Sequence, residues 1–126
     1  MTNDWRNGLY MQLLNEIDLA NYGNRISLIG GFIENLFPFW WEDYSSVADY
    51  LDFYLDGFSR DEIAVMASEY RSLDIDDAQD EDINSFLHRM NANYRSDQGP
   101  SGGRQMLAQI GERVGQLEHG AMLKHR

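Results

Sequence analysis

Carboxylates and histidines are the side chains through which this chain could do chemistry, and their spacing decides what is possible. Asp74-Ile75-Asp76-Asp77-Ala78-Gln79-Asp80 begins like a calcium-binding loop. The register then fails, because Ala78 stands at the third ligand position, Gln79 where the turn demands Gly, and Ser85 where a bidentate Glu belongs. No pair among the acids is marked out for glycoside or phosphoryl chemistry. His88 falls on the side of a helical stripe away from Ile83 and Met90, which is a solvent-facing position, and His119 and His125 lie at or near the end of the chain. Gly99-Pro100-Ser101-Gly102-Gly103-Arg104 could cradle a phosphate on backbone N–H groups. It lacks a preceding strand and a lysine, so it reads as a loop. His-Glu-x-x-His, Gly-x-Ser-x-Gly and phosphate-loop motifs are absent, and with no cysteine there is no thiol nucleophile, disulfide or Cys-ligated zinc. The expectation is a chain that is not an enzyme and carries no metal or cofactor.

Charge points toward a partner instead. The 126 residues carry 21 acids and ten bases, net −11, and Lys124 is the one lysine. Residues 42–82 hold 14 acids against Arg60 and Arg71, net −12, while the other 85 residues carry 7 acids and 8 bases, net +1. A nucleic-acid backbone needs clustered Lys and Arg, and an anionic membrane would repel this segment, so neither is an expected partner. The field suits a cationic protein, or solubility alone. No stretch approaches a membrane span, and Met1-Thr2-Asn3-Asp4 lacks the pattern of a signal peptide, so the expected address is the cytoplasm.

The elements that must position these groups are helical. One domain spanning 1–126 is expected, at 43% hydrophobic residues. Leu9, Tyr10, Leu13, Leu14, Ile17 and Ala20 stripe a first helix, and Ile26, Ile29, Ile33, Leu36 and Phe37 a second that Pro38 stops. A third opens at Ser46, with Asp49 in a weak capping-box variant, and ends near Gly57. Ser59-Arg60-Asp61-Glu62 is a full capping box for a fourth, which buries Ile63, Met66, Ala67, Tyr70 and Leu73. Ile83, Phe86, Leu87, Met90 and Tyr94 stripe a fifth. After a turn-rich loop at 96–103, Met106, Leu107, Ile110, Val114, Leu117 and Ala121 stripe a sixth, where Gly111 and Gly115 would admit a neighbouring helix. The fold expected is all-α, a compact domain of five or six helices.

Between Leu36 and Phe58 stand nine aromatics in 23 residues, interleaved with Glu42, Asp43, Asp49, Asp52 and Asp56. Six or seven of the rings suffice for a core, which leaves two or three for a partner, since interfaces favour Trp and Tyr anchors rimmed by charge. At about 100° per residue, Asp49, Asp52 and Asp56 form one acidic stripe with Phe53 beside it. Either another part of the chain, Trp40-Trp41 or the last helix, covers Phe53, or Phe53 inserts into a partner while the three aspartates engage its basic rim.

In this segment the chain resembles the immunity proteins of bacterial contact-dependent growth inhibition. Phe39-Trp40-Trp41-Glu42-Asp43-Tyr44 stands at that family's aromatic string, Asp49-Tyr50-Leu51-Asp52-Phe53 at its Asp-Phe helix, and Ser59 to Leu73 at the acidic helix that follows. The likeness spans about residues 36–92, with Trp41 where a His and Tyr44 where a Trp would stand. It implies a cytoplasmic protein that binds and neutralises a cognate toxin domain, commonly a cationic nuclease. Partner-binding candidates are Trp41, Asp43, Tyr44, Asp49, Asp52, Phe53, Asp56, Asp76, Asp77 and Glu81. The alternative is an acidic helical mimic of nucleic acid that blocks a DNA-binding protein. A third possibility, a small hydrolase, would require a pocket holding a carboxylate pair of split pKa values.

Overall fold

Capping and apolar spacing account for most of the helices, though not for where each one ends. The computed structural model describes residues 14–95, 97 and 99–122. Six α-helices begin and end within them: α1 (Ser27–Glu34), α2 (Trp40–Asp43), α3 (Val47–Tyr54), α4 (Arg60–Ser72), α5 (Asp80–Arg89) and α6 (Gly102–Glu118). Single 3-10 turns lie at Tyr22–Asn24 and Ile75–Asp77, and no strand occurs among the described residues. The protein is an all-α domain. Of the first expected stripe, Leu14 and Ile17 are buried while Ala20 is exposed in a turn; Leu9, Tyr10 and Leu13 lie outside the described residues.

Both expected caps form. Ser46 Oγ accepts from the Asp49 N–H at 3.1 Å. Around α4, Glu62 donates its N–H to Ser59 Oγ at 3.1 Å and accepts the Ser59 N–H at 2.8 Å. The N-terminus of α1 has no such residue, because Ile26 stands at its cap. Glu69 of α4 supplies the cap instead: its Oε1 accepts the Leu28 and Ile29 N–H groups, each at 2.9 Å.

Helix ends fall earlier than apolar spacing suggests. α1 stops at Glu34, short of Leu36 and Phe37, because Pro38 biases the residue before it out of the helical region. α5 ends at Arg89, so Tyr94 is not part of it. Asn91 takes φ 56°, and the Ala92 N–H reaches back to Leu87 O at 2.8 Å while the Asn91 N–H bonds His88 O at 3.0 Å. That is a Schellman closure. α6 ends the same way, with Gly120 at φ 104° and Ala121 N–H on Gln116 O at 3.0 Å, which leaves Ala121 exposed beyond the helix. At its other end α6 starts inside the expected loop, with Gly102 and Gly103 buried.

α6 is the central element and packs against α3, α4 and α5, while α1 packs on α4. Phe32, Met66, Phe86, Leu107, Ile110 and Val114 are all sealed from solvent in a single core cluster. Each large side chain so buried contributes about 1.5–3 kcal/mol relative to exposure. Gly111 admits the Tyr70 ring, which would stand 2.2 Å from a Cβ there, whereas nothing lies within 4 Å of a Cβ at Gly115. Only the first of the two glycines serves close approach.

Candidate functional site

The nine aromatics divide into an inner and an outer set. Trp40 and Tyr50 are buried, and Trp41, Tyr44, Tyr54 and Phe58 are partly buried against the core. Phe37, Phe39 and Phe53 are exposed at 38%, 61% and 58%. Six rings inside and three outside is the division expected from the composition. Phe53 keeps more than half of its surface exposed, so it is not buried under Trp40-Trp41 or the last helix.

The rings form one connected edge. Phe39 meets Trp41 edge-on at 5.6 Å between centroids, and Trp41 meets Trp40 at 5.6 Å. Tyr44 lies flat on Tyr50 at 4.2 Å, and Tyr44 in turn approaches Phe53 at 6.0 Å. Tyr50 is the hub, because Phe32, Phe37 and Trp40 also touch it. Its hydroxyl donates to Asn35 O at 2.6 Å, so the hub is pinned to the end of α1. Burial, the main cause, and the neighbouring Tyr44 push the Tyr50 hydroxyl pKa up, which keeps it a neutral donor.

Phe39 holds an unusual backbone. Three non-glycine residues among those described have positive φ: Phe39 at 62°, Asp74 at 54° and Asn91 at 56°. Asn and Asp tolerate this region because their short side chains bond locally, but a bulky aromatic there is strained. Bonds on both sides hold the strain in place. The Trp40 indole N–H donates to Asn93 O at 2.8 Å, and Asn93 donates its N–H and its side-chain amide to Leu36 O at 2.8 and 2.9 Å.

The acids of the segment do not share one environment. Glu42, Asp43 and Asp56 are exposed and Asp49 is half-buried. Asp52 departs from the expectation of an exposed acidic stripe: it is 1% exposed. Arg113 of α6 grips it bidentately, Nε to Oδ1 and Nη2 to Oδ2, both at 2.8 Å. The same guanidinium donates to Met122 O at 2.7 Å and Gln116 Oε1 at 3.0 Å. Asp52 therefore cannot meet a partner's basic rim, since the charge of Arg113 already claims both its oxygens. A helical wheel does not reveal this, because Arg113 lies 61 residues away in the chain.

Asp76, Asp77 and Glu81 are exposed on a different stretch. Arg104 fastens that stretch to the start of α6, through Asp80 at 2.7 Å, Ile75 O at 2.9 Å and Ala78 O. The ring contacts join Trp41, Tyr44 and Phe53 to one edge, with Asp43 and Asp49 next to them in sequence or helix register. They do not reach Asp76, Asp77 or Glu81.

A cleft of about 220 Å³ opens between the two tryptophans and α6, lined by Trp40, Trp41, Ser46, Arg95, Met106 and Gln109 among others. None of its lining residues is a carboxylate or a histidine. Among the described residues no group of three or more His, Asp or Glu could hold a metal ion, and no helix is long and apolar enough to cross a membrane. His88 is exposed on α5, where its spacing placed it. What the arrangement can do chemically is present flat apolar rings beside fixed negative charge. Compared with known proteins, the chain matches no family model, no curated protein and no solved structure. Fold and site together define an acidic all-α domain with an exposed aromatic edge.

Proposed function

We propose that the protein is a cytoplasmic immunity protein of the contact-dependent growth inhibition type, which works by binding and has no turnover of its own. Its target is a cationic toxin domain, of the kind a nuclease must be to hold its substrate. The observation that carries this reading is the exposure of Phe39 and Phe53 within or beside the segment of net −12 charge. Exposed rings beside acids supply what a protein interface needs, an apolar anchor and a complementary field. The field steers encounter with a toxin that is dangerous at few copies.

Co-expression with a toxin domain, should an adjacent reading frame encode one, is the direct test, and restored growth is the expected result. Persistent growth arrest despite a folded, soluble partner sinks the proposal. Association measured by stopped flow should slow severalfold or more between low and physiological salt, because exposed charges are screened over about 8–10 Å. A flat rate would reduce the acids to a solubility device.

A further inference from the structure

We propose that Asp74 and Asp77 form a proton latch on the turn that joins α4 to α5. One proton shared between the two carboxyls closes the turn. Its loss sets two like charges against each other and loosens it. The latch is independent of the proposed function and belongs to the protein alone.

Asp74 leaves α4 at φ 54°, and its carbonyl accepts the Asp77 N–H at 3.2 Å, so one tight turn brings residues 74 and 77 together. Asp74 Oδ2 is sealed from solvent and meets no hydrogen-bond partner among the described residues. The group beside this carboxyl is another carboxyl, that of Asp77. Two ionised carboxylates are acceptors only and cannot bond each other. An oxygen placed in this way is satisfied when one of the pair holds a proton.

Neither nearby arginine takes the place of that proton. The charged and titratable groups around Asp74 are Tyr70 and Arg71 of α4, Asp76 and Asp77 of the turn, Asp80 of α5 and Arg104 of α6. Arg71 pairs with Glu118 at 3.2 Å. Arg104 directs Nε to Asp80 at 2.7 Å, Nη1 to Ile75 O at 2.9 Å and Nη2 to Ala78 O. It holds the backbone of the turn and leaves Asp74 to its acidic neighbours, in a stretch, residues 74–82, of six acids and no base. Burial first, then the charge of Asp77, the bond to it and the charge of Asp76, hold the Asp74 carboxyl above its ordinary value of 3.8. A raised folded value favours the protonated turn. That contribution is complete below 3.8 and is lost as the pH rises through the folded value.

Carboxyl carbon NMR of the full chain between about pH 3 and pH 7 reads the latch directly. Asp74 should titrate above 3.8, and Asp77→Asn should bring it down, because the new amide donates to the charged carboxylate and one negative charge is gone. Asp74→Asn keeps a neutral donor at the turn, in a backbone region that Asn accepts. Its urea midpoint should stand above the wild type near neutral pH, and the gap should close toward acid. Asp74 titrating at or below 3.8 overturns the proposal, as does a value that Asp77→Asn leaves unmoved. A midpoint gap that stays constant with pH does the same, since it would report only the ease of Asn in this conformation.

Discussion

Asp52 and Phe53 are neighbours on α3, yet the carboxylate is sealed inside and the ring stands in water. The seam between α3 and α6 and the aromatic edge thus treat polarity in opposite ways. At the seam, Arg113 meets Asp52 with two parallel hydrogen bonds, so the fold supplies the acid with a partner that replaces water. At the edge, the inner rings around Tyr50 already fill the space over α3, and Phe53 leans on the flank of Tyr44 with most of its own surface outside. Hydropathy alone would have placed these two neighbours the other way round, and the pairing with Arg113 is what lets the carboxylate go inside.

The largest effect should come from breaking the seam. Asp52→Ala leaves a guanidinium buried without its counter-charge and should cost about 3–5 kcal/mol, against roughly 1 kcal/mol or less for Phe53→Ala on the other side of the same turn. Urea unfolding of the two variants measures the difference, and equal losses would erase the contrast. Replacing both members, Asp52→Leu with Arg113→Met, should recover most of the loss, because an apolar pair carries no desolvation penalty.

A smaller pair of effects sharpens the same contrast along α6. Gly111→Ala drives a Cβ into the Tyr70 ring. The overpacking, about 1–3 kcal/mol, should outweigh the roughly 1 kcal/mol that alanine gains over glycine in a helix. Gly115→Ala meets nothing within 4 Å and should keep that gain. Thermal midpoints moving in opposite directions are the expected outcome; a rise in both would mean that Tyr70 yields freely.

Smallest is a titration. Burial first, and the charge of Asp76 second, push the Tyr70 hydroxyl up to about 12, from its ordinary value of 10.0. The folded state thus favours the protonated, neutral phenol. Its contribution is complete below pH 10 and is lost as the pH rises from 10 toward about 12. Urea midpoints measured across that window should fall for the wild type and fall less for Tyr70→Phe.

Much of the helix plan is local and can be read from the chain. Ser46 and Ser59 cap as their spacing implies, because a cap is a bond between residues three apart. Gly120 and Asn91 mark helix ends by chemistry that apolar stripes ignore, and so the stripes assign Tyr94 and Ala121 to helices that stop before them. The site is half legible. The surplus of rings shows in the composition, and Phe53 stands off the apolar face of its wheel. The Asp52–Arg113 pair leaves no local trace, since its two halves are joined only when α3 and α6 dock. The backbone of Phe39 gives no signal either, because the bonds that flank it, from the Trp40 indole to Asn93 O and from the Asn93 amide to Leu36 O, span more than fifty residues.

Glu69 makes the start of α1 depend on α4. The amides at the start of α1 are satisfied by a carboxylate some forty residues later, on a helix that carries its own capping box. α4 can therefore hold its first turn from local bonds, while the eight residues of α1 are too few to nucleate alone and lack a cap until α4 is beside them. The expected order is that α1 forms only once α4 is in place. Slow exchange of the Leu28 and Ile29 amide hydrogens would then report the docking of two helices, and those hydrogens would become open to solvent whenever the pair came apart, even with α4 itself still wound.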